Sequence, residues 1–222
     1  MTMGTNSKKK IGQKLRNSFA CVVDGETEIW YLNMLKRNEA STKSISIRPE
    51  LPQKKTLQEQ YRQVLSLAES YTAVFWIIDT DTIIRNERTF TGNKDKSPKV
   101  VLKECVTSLP DNAIFIANTP CFEFWVLLHV LKTAKYFETG DAVIEQLHKN
   151  DLLKDYSKTR KYFTQDGNDI YKRLKPYLAT AIANSKFTGE FDYENLERGF
   201  CSMHKLFSRL GVDTVTGQFG NK

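Results

Sequence analysis

The chain contains few residues of the kinds that form disulfides or zinc sites. Its 222 residues include four cysteines and three histidines, and no two cysteines form a Cys-x-x-Cys pair. This spacing indicates neither a zinc site nor a disulfide framework. The cysteines are therefore predicted to be buried free thiols: Cys21, Cys105, Cys121 and Cys201.

Long apolar runs are also missing. No stretch approaches the roughly 20 apolar residues that a membrane-spanning helix needs, and the lysine-rich start lacks the apolar core of a signal peptide. The chain has no Gly-x-x-x-x-Gly-Lys-Ser/Thr motif, with which P-loop proteins bind phosphates. We therefore expect a cytoplasmic protein with no membrane partner, and its 40% hydrophobic residues are enough for a folded core.

Positive charge is in excess but unevenly distributed. The net charge is +7, and residues 1–23 contain five basic residues and no acid. Residues 1–17 are therefore predicted to be a basic, flexible tail, which could contact nucleic-acid phosphates without sequence preference. A solvated tail without a partner is the alternative.

Two apolar runs end at acidic residues. The first stops at Asp24-Gly25 and the second, residues 74–78, stops at Asp79-Thr80-Asp81. The carboxyl ends of parallel strands share one edge of an open α/β sheet, where ligands bind, so the acids could converge there. Carboxylate oxygens suit Mg²⁺ or Mn²⁺. The candidates are Asp24, Glu26, Glu28, Asp79 and Asp81, and simple helix or loop capping is the alternative for each.

A third segment, residues 117–129, reads Ala-Asn-Thr-Pro-Cys-Phe-Glu-Phe-Trp-Val-Leu-Leu-His. Together with the two acidic segments it resembles the RloB-like (AbiLii-like abortive-infection) family, over about residues 18–210. The order of strand, acid, glycine and a later Asp-x-Asp resembles a Toprim domain. Toprim domains usually have Glu before that glycine, whereas this chain has Asp24.

The resemblance implies a Mg²⁺- or Mn²⁺-dependent nuclease, acting on RNA or DNA in antiphage defence with a partner ATPase of the AAA or ABC class. The implied metal ligands are Asp24, Glu28, Asp79 and Asp81. Carboxylates with an implied catalytic role are Asp24, Glu26, Glu28, Asp79, Asp81 and Glu123. Asn118 could face the same edge and contact substrate, and the role of His129 is left open.

A second basic region, residues 154–177, has tyrosines and a phenylalanine among its lysines and arginines. Phosphate contacts combined with base stacking suit single-stranded nucleic acid. The substrate-contact candidates are Lys158, Arg160 and Lys161. The alternative is a pair of helices with aromatic residues in the core and lysines in water.

The order of elements predicts an α/β fold with a mainly parallel, Toprim-like (Rossmann-like) sheet flanked by helices. We expect an α/β domain over 18–133 and a helical extension over 134–222, with a mobile, polar, substrate-facing loop at 79–96. The predicted strands are 18–23, 44–48, 73–78 and 113–117, and the predicted helices are 27–38, 56–70, 98–108, 121–133, 141–149, 168–185 and 199–210. A noncatalytic sensor of nucleic acid or nucleotide is the alternative function, and a homo-oligomer is left open.

Overall fold

The computed structural model describes residues 18–43, 45–48 and 56–212. The predicted basic tail, residues 1–17, lies outside the described residues. The chain forms an α/β fold around one five-stranded sheet in the order β2-β1-β3-β4-β5. The strands are β1 (Phe19–Val23), β2 (Ile45–Arg48), β3 (Ala73–Asp79), β4 (Ala113–Thr119) and β5 (Phe200–Cys201).

The first four strands are parallel, so their carboxyl ends lie at the same edge of the sheet. Val23 pairs with Ile77 between β1 and β3, and Asp79 pairs with Asn118 between β3 and β4. β2 and β3 lie on opposite sides of β1, which makes the junction of β1 and β3 the switch point where ligands bind in such sheets. The predicted mainly parallel α/β sheet is confirmed.

Helices cover both faces of the sheet because the central strands are apolar on both sides. One core contains Cys21 and Phe75, and it is completed by α1, α5 and the later helices. The other contains Val22 and Trp76 and is completed by α2, α3 and α4. The helices are α1 (Glu26–Asn38), α2 (Leu57–Ala68), α3 (Asp81–Arg88), α4 (Pro98–Thr107), α5 (Phe122–Leu127), α6 (Gly140–Leu147), α7 (Arg160–Phe163), α8 (Ile170–Leu174), α9 (Leu178–Phe187) and α10 (His204–Leu210).

Local sequence explains where the helices that flank the site begin. Thr56 and Glu59 form a reciprocal capping box at the start of α2, which satisfies two backbone donors that would otherwise lack partners. Ser97 caps α4 and Pro98 occupies its first turn, where the missing N–H of proline is harmless. These two helices are therefore fixed at the ends nearest the acidic edge.

Four expectations about secondary structure need correction. The segment predicted as a polar loop, 79–96, contains α3, whose Ile83 and Ile84 are buried against the sheet. The helix predicted for 121–133 ends at Leu127, and the Leu128 carbonyl accepts a hydrogen bond from Asn184. The helix predicted for 168–185 is divided at Lys175–Tyr177, which contains a proline that cannot donate a backbone hydrogen bond.

The fourth correction concerns 199–210, predicted as a helix. Its first residues form β5, antiparallel to β4, before α10 begins. Gly199 lets the chain pass against the backbone of Ala134 and Lys135 just before β5, because a Cβ there would clash with the Lys135 carbonyl oxygen. A strand of two residues has no periodicity to detect, so the sequence pattern could not reveal it.

The remaining predictions about composition hold where the structure can address them. All four cysteines are buried and free, as expected. Within the described residues, no helix combines the length and the apolar character that crossing a membrane requires.

Candidate acidic site at the carboxyl edge of the sheet

The structure brings acids from both predicted segments, and Glu123 from the third, to the carboxyl edge of the sheet. Asp24 follows β1, Asp79 ends β3, and Asp81 opens α3. Glu28 and Glu123 stand in the first turns of α1 and α5. Backbone hydrogen bonds join these loops, since the Pro120 carbonyl accepts from the N–H of Asp81 at 3.0 Å. The five side chains are termed the acidic cluster below: Asp24, Glu28, Asp79, Asp81 and Glu123.

Glu28 is the most deeply placed acid of the α1 segment, with only 2% of its surface exposed. Its carboxylate folds back over Gly25, where a Cβ would lie 3.1 Å from Glu28 Oε2. The glycine of the Asp-Gly pair therefore leaves space for the carboxylate. Burial raises the pKa of Glu28 to about 8, and the charges of Asp24 and Glu123 act in the same direction.

Asp79 lies at the centre of the cluster. Burial of its carboxylate raises the pKa well above the usual value, and repulsion from Glu28, Glu123, Asp24 and Asp81 adds to this effect. Its Oδ1 atom, like Oε1 of Glu28, is buried without a hydrogen-bond partner among the described residues. Buried acceptors without partners are rare in native proteins, so these two oxygens indicate a missing donor or cation.

Asp24 is held by a residue that the sequence did not suggest. The Gln60 side chain donates to Asp24 Oδ1 at 2.8 Å, and its own carbonyl oxygen accepts from Trp76 Nε1 at 2.9 Å. Desolvation raises the pKa of Asp24, while the Gln60 hydrogen bond opposes the shift. The available signal was a polar residue in the buried stripe of α2, four residues before Val64.

Glu123 has two partners from the segment after α6. Tyr156 donates its hydroxyl to Oε1 at 2.9 Å, and Lys158 Nζ pairs with Oε2 at 2.9 Å. Burial lowers the pKa of Lys158, but the Glu123 carboxylate outweighs it and the pKa rises. Lys158, one of the predicted substrate contacts, therefore lies at the acidic cluster, and Tyr156 is a site residue that the sequence did not identify.

The other candidates lie in different surroundings. Glu26 is exposed on α1, and Arg160 and Lys161 are exposed on α7. Asn118 is fully buried beside Asp79 in the sheet, and its Oδ1 accepts a weak hydrogen bond from the Cys201 thiol. The structure thus supports Asn118 as part of the edge, but as a residue behind the acids rather than one open to substrate.

Burial also settles the reactivity of Cys121. The thiol lies beneath the acids, and burial together with the Glu123 and Asp79 charges raises its pKa well above the usual value. A thiol in such surroundings stays protonated and unreactive. Cys121 is therefore a packing residue.

In the residues that the structure describes, the acidic cluster has the donor atoms of a metal site without a preformed set of ligands. Among residues 18–43, 45–48 and 56–212, no three His, Cys, Asp or Glu side chains already form a metal-binding set. The donor chemistry nevertheless suits a hard divalent cation, which prefers carboxylate oxygens. Two of those oxygens, Glu28 Oε1 and Asp79 Oδ1, are buried and lack partners in the described part of the chain.

The fold and the site together define an α/β protein with an acidic cluster at the switch point of a mainly parallel sheet. The family model described as RloB-like protein matches residues 19–210. This match covers most of the chain, and the chain belongs to the RloB-like protein family. No curated protein and no solved structure gave a significant match.

Proposed function

We propose that this protein is a Mg²⁺-dependent nuclease that hydrolyses phosphodiester bonds of RNA or DNA in antiphage defence. The observation that carries the proposal is the acidic cluster, in which Asp79 and Glu28 have buried, unpartnered oxygens and raised pKa values. A divalent cation would relieve this repulsion. The Toprim-like order of the motifs and the family membership support the same chemistry.

Each side chain then has a distinct task. Asp24, Glu28, Asp79 and Asp81 would hold the cation. When bound, it would orient the phosphodiester and stabilise the charge that develops during hydrolysis. Gln60 orients the Asp24 carboxylate, and Lys158, half exposed beside Glu123, can approach a phosphate oxygen.

Proton transfer needs a carboxylate that does not bind the cation. Glu26 is exposed near the cluster and can exchange protons with water, so it suits a general base. Glu28 is the alternative if the cation is held by the aspartates alone, because its carboxylate lies within the cluster beside Asp24. A partner ATPase, which the family resemblance implies, would supply the nucleotide hydrolysis for which this chain has no P-loop.

The first prediction tests the cation. Asp79→Asn removes the charge at the centre of the cluster without changing side-chain size, so we expect at least a tenfold loss of Mn²⁺ affinity, because an ionised ligand is lost. Isothermal titration calorimetry with Mn²⁺ measures this affinity. Cleavage assays on labelled single-stranded and duplex RNA and DNA measure the nuclease activity. Asp111→Asn, at the opposite end of β4, is the matched control. Equal affinity for wild type and Asp79→Asn would refute the metal site.

A second candidate function is a noncatalytic sensor of nucleic acid or nucleotide. The observation that favours it is the Lys158–Glu123 ion pair, which places a protein cation beside the acids, together with Asp24 in place of the usual Toprim glutamate. The two functions differ in one measurement. A sensor binds nucleic acid equally well with and without Mn²⁺ and cleaves none of the four substrates in the presence of its partner ATPase.

A further inference from the structure

A cavity of about 360 Å³ opens directly beside the acidic cluster, between α2, α3 and α4. Asp24 and Asp79 form part of its wall, so the cavity and the cluster are contiguous. Its volume falls within the range of about 300–1,000 Å³ typical of small-ligand pockets.

The wall of the cavity away from the acids is apolar. Leu57, Ile83 and Val101 contribute aliphatic surface, and Phe90 adds an aromatic ring. Phe90 is 36% exposed, so part of its surface is accessible to a ligand. It lies over Gly92, where a Cβ would be only 2.8 Å from the ring, so the absence of a side chain at Gly92 permits this position.

Neutral and basic polar groups complete the lining. Gln58 on α2 and Asn86 on α3 each carry a donor and an acceptor, and Lys96 adds a positive charge. Asn86 is exposed at the surface of α3, so its amide is accessible to a ligand. Paired donors and acceptors of this kind can bond the edge of a nucleobase.

We propose that this cavity holds one nucleobase, with the attached phosphodiester directed to the acidic cluster. The proposal rests on the proposed nuclease function and specifies how substrate is held. A base is flat and has polar edges, and it can stack on the Phe90 ring while its edge bonds the amides. Pockets that hold one extruded base by stacking and edge contacts are known from enzymes that modify bases.

The charges and size of the cavity disfavour other occupants. Without a cation at the cluster a free anion would be repelled by Asp24 and Asp79, and a wholly apolar molecule would leave the amides of Gln58 and Asn86 without partners. A volume of about 360 Å³ is also too small for a peptide helix, which is about 10 Å across. A neutral heterocycle with polar edges fits both walls.

Fluorescence anisotropy on the full chain tests the proposal without requiring cleavage. The probes are labelled 12-nucleotide single strands of DNA and RNA, and a strand of equal length whose sugars are all abasic. Stacking and edge contacts with one base predict about tenfold tighter binding of base-bearing strands. In the Asn86→Trp variant the indole ring fills the cavity. We therefore expect the ratio of the affinities for base-bearing and abasic strands to fall to near one. Asn168→Trp, on an exposed loop elsewhere, should retain it.

The outcomes separate the pocket from the metal site. Equal affinity of wild type for base-bearing and abasic strands, or an unchanged preference in Asn86→Trp, overturns the proposal. Competition by adenosine monophosphate supports a free nucleotide as the source of the base, and competition by oligonucleotides alone supports the substrate strand. Unchanged Mn²⁺ affinity in Asn86→Trp verifies that the acidic cluster is intact. If wild type does not bind Mn²⁺ but still prefers base-bearing strands, only the proposed nuclease function is refuted.

Discussion

At the scale of single residues, the site is defined by acidic side chains that lie close together, of which Glu28 and Glu123 are buried and Asp24 is exposed. Glu28 and Asp79 are adjacent to other acids and have raised pKa values, whereas Glu123 has Tyr156 and Lys158 as partners. The cluster therefore contains both unpartnered and partnered carboxylates. The unpartnered oxygens of Glu28 and Asp79 suit a cation, and the Glu123 carboxylate suits positioning of Lys158.

The second prediction concerns Glu123. Glu123→Gln keeps the shape of the side chain and the hydrogen bond from Tyr156 but removes the charge that holds Lys158. We expect at least a hundredfold loss of cleavage, because charge stabilisation at the phosphate is among the largest catalytic effects, with little change in melting temperature. Thermal melting and a cleavage assay with the partner ATPase check it. Glu145→Gln, on the exposed side of α6, is the control. A large drop in melting temperature would make Glu123 structural.

The third prediction gives His129 a structural role. Its Nδ1 donates to the Trp125 carbonyl at 3.1 Å, and burial lowers the imidazole pKa to about 4. A pKa below the unfolded value of 6.5 means that protonation favours the unfolded chain. The neutral imidazole therefore makes its full contribution to the free energy of unfolding above pH 6.5. This contribution, about 3 kcal/mol in all, is lost as the pH falls from 6.5 through 4.

Urea unfolding of wild type and His129→Gln between pH 4 and pH 7.5 measures this difference. The raised pKa values of Glu28 and Asp79 act in the opposite sense in both proteins, so only the difference between them reports His129. That difference should be largest at neutral pH and shrink in acid. A difference that does not vary with pH would contradict the assignment.

At the scale of secondary-structure elements, α5 joins the site to the core. Its first turn carries Glu123, while Trp125 stacks on Phe207 of α10 with ring centroids 5.4 Å apart. The same ring meets His129 edge-on at 4.7 Å. Packing of α5 between the sheet and α10 therefore fixes the direction of the glutamate.

The fourth prediction tests this packing. Trp125 is fully buried, so Trp125→Ala should destabilise the fold by roughly 3–5 kcal/mol, as expected for removal of a large aromatic side chain from a core. Denaturant unfolding measures the change. Trp30→Ala offers a comparison at a half-buried site on α1, where a smaller loss is expected. Equal losses at the two positions would contradict a special role for α5.

At the scale of the whole molecule, the proposed function gives two features different roles toward nucleic acid. The acidic edge and its cavity would hold one nucleotide, whereas most of the net positive charge lies before residue 24. Nonspecific affinity and site recognition are thus assigned to different parts of the chain. Arg88 connects α3 to the C-terminal half through Glu138 and Glu197, but exposed pairs of this kind contribute little to stability.

The fifth prediction separates the tail from the site. Deleting residues 1–15 removes Lys8, Lys9, Lys10 and Lys14, so nucleic-acid affinity should fall and its dependence on salt should weaken, because fewer counterions are released on binding. Sequence preference and Mn²⁺ affinity should not change. Anisotropy titrations from about 50 to 200 mM salt measure the slope. A slope equal to that of the full chain would assign nonspecific binding to another surface.

The sequence by itself determined the four parallel strands of the sheet and the position of the acids along the chain. Short apolar runs rich in β-branched and aromatic residues, such as residues 74–78, are typical of buried strands, and an acid that follows a parallel strand lies at the carboxyl edge. Asp24, Asp79 and Asp81 could therefore be placed together from pattern alone. The helix in 81–88 was missed because its polar face dominates a short segment, in which only Ile83 and Ile84 are buried.

Only the tertiary structure decided which side chains complete the site. Gln60, Tyr156 and Lys158 reach the acids from segments 36, 33 and 35 residues away from their partners Asp24, Glu123 and Glu123. Long-range contacts of this kind leave no periodic signal, because they depend on how separate elements pack. The same holds for β5 and for the cavity beside Asp79, whose walls come from three helices that no local pattern brings together.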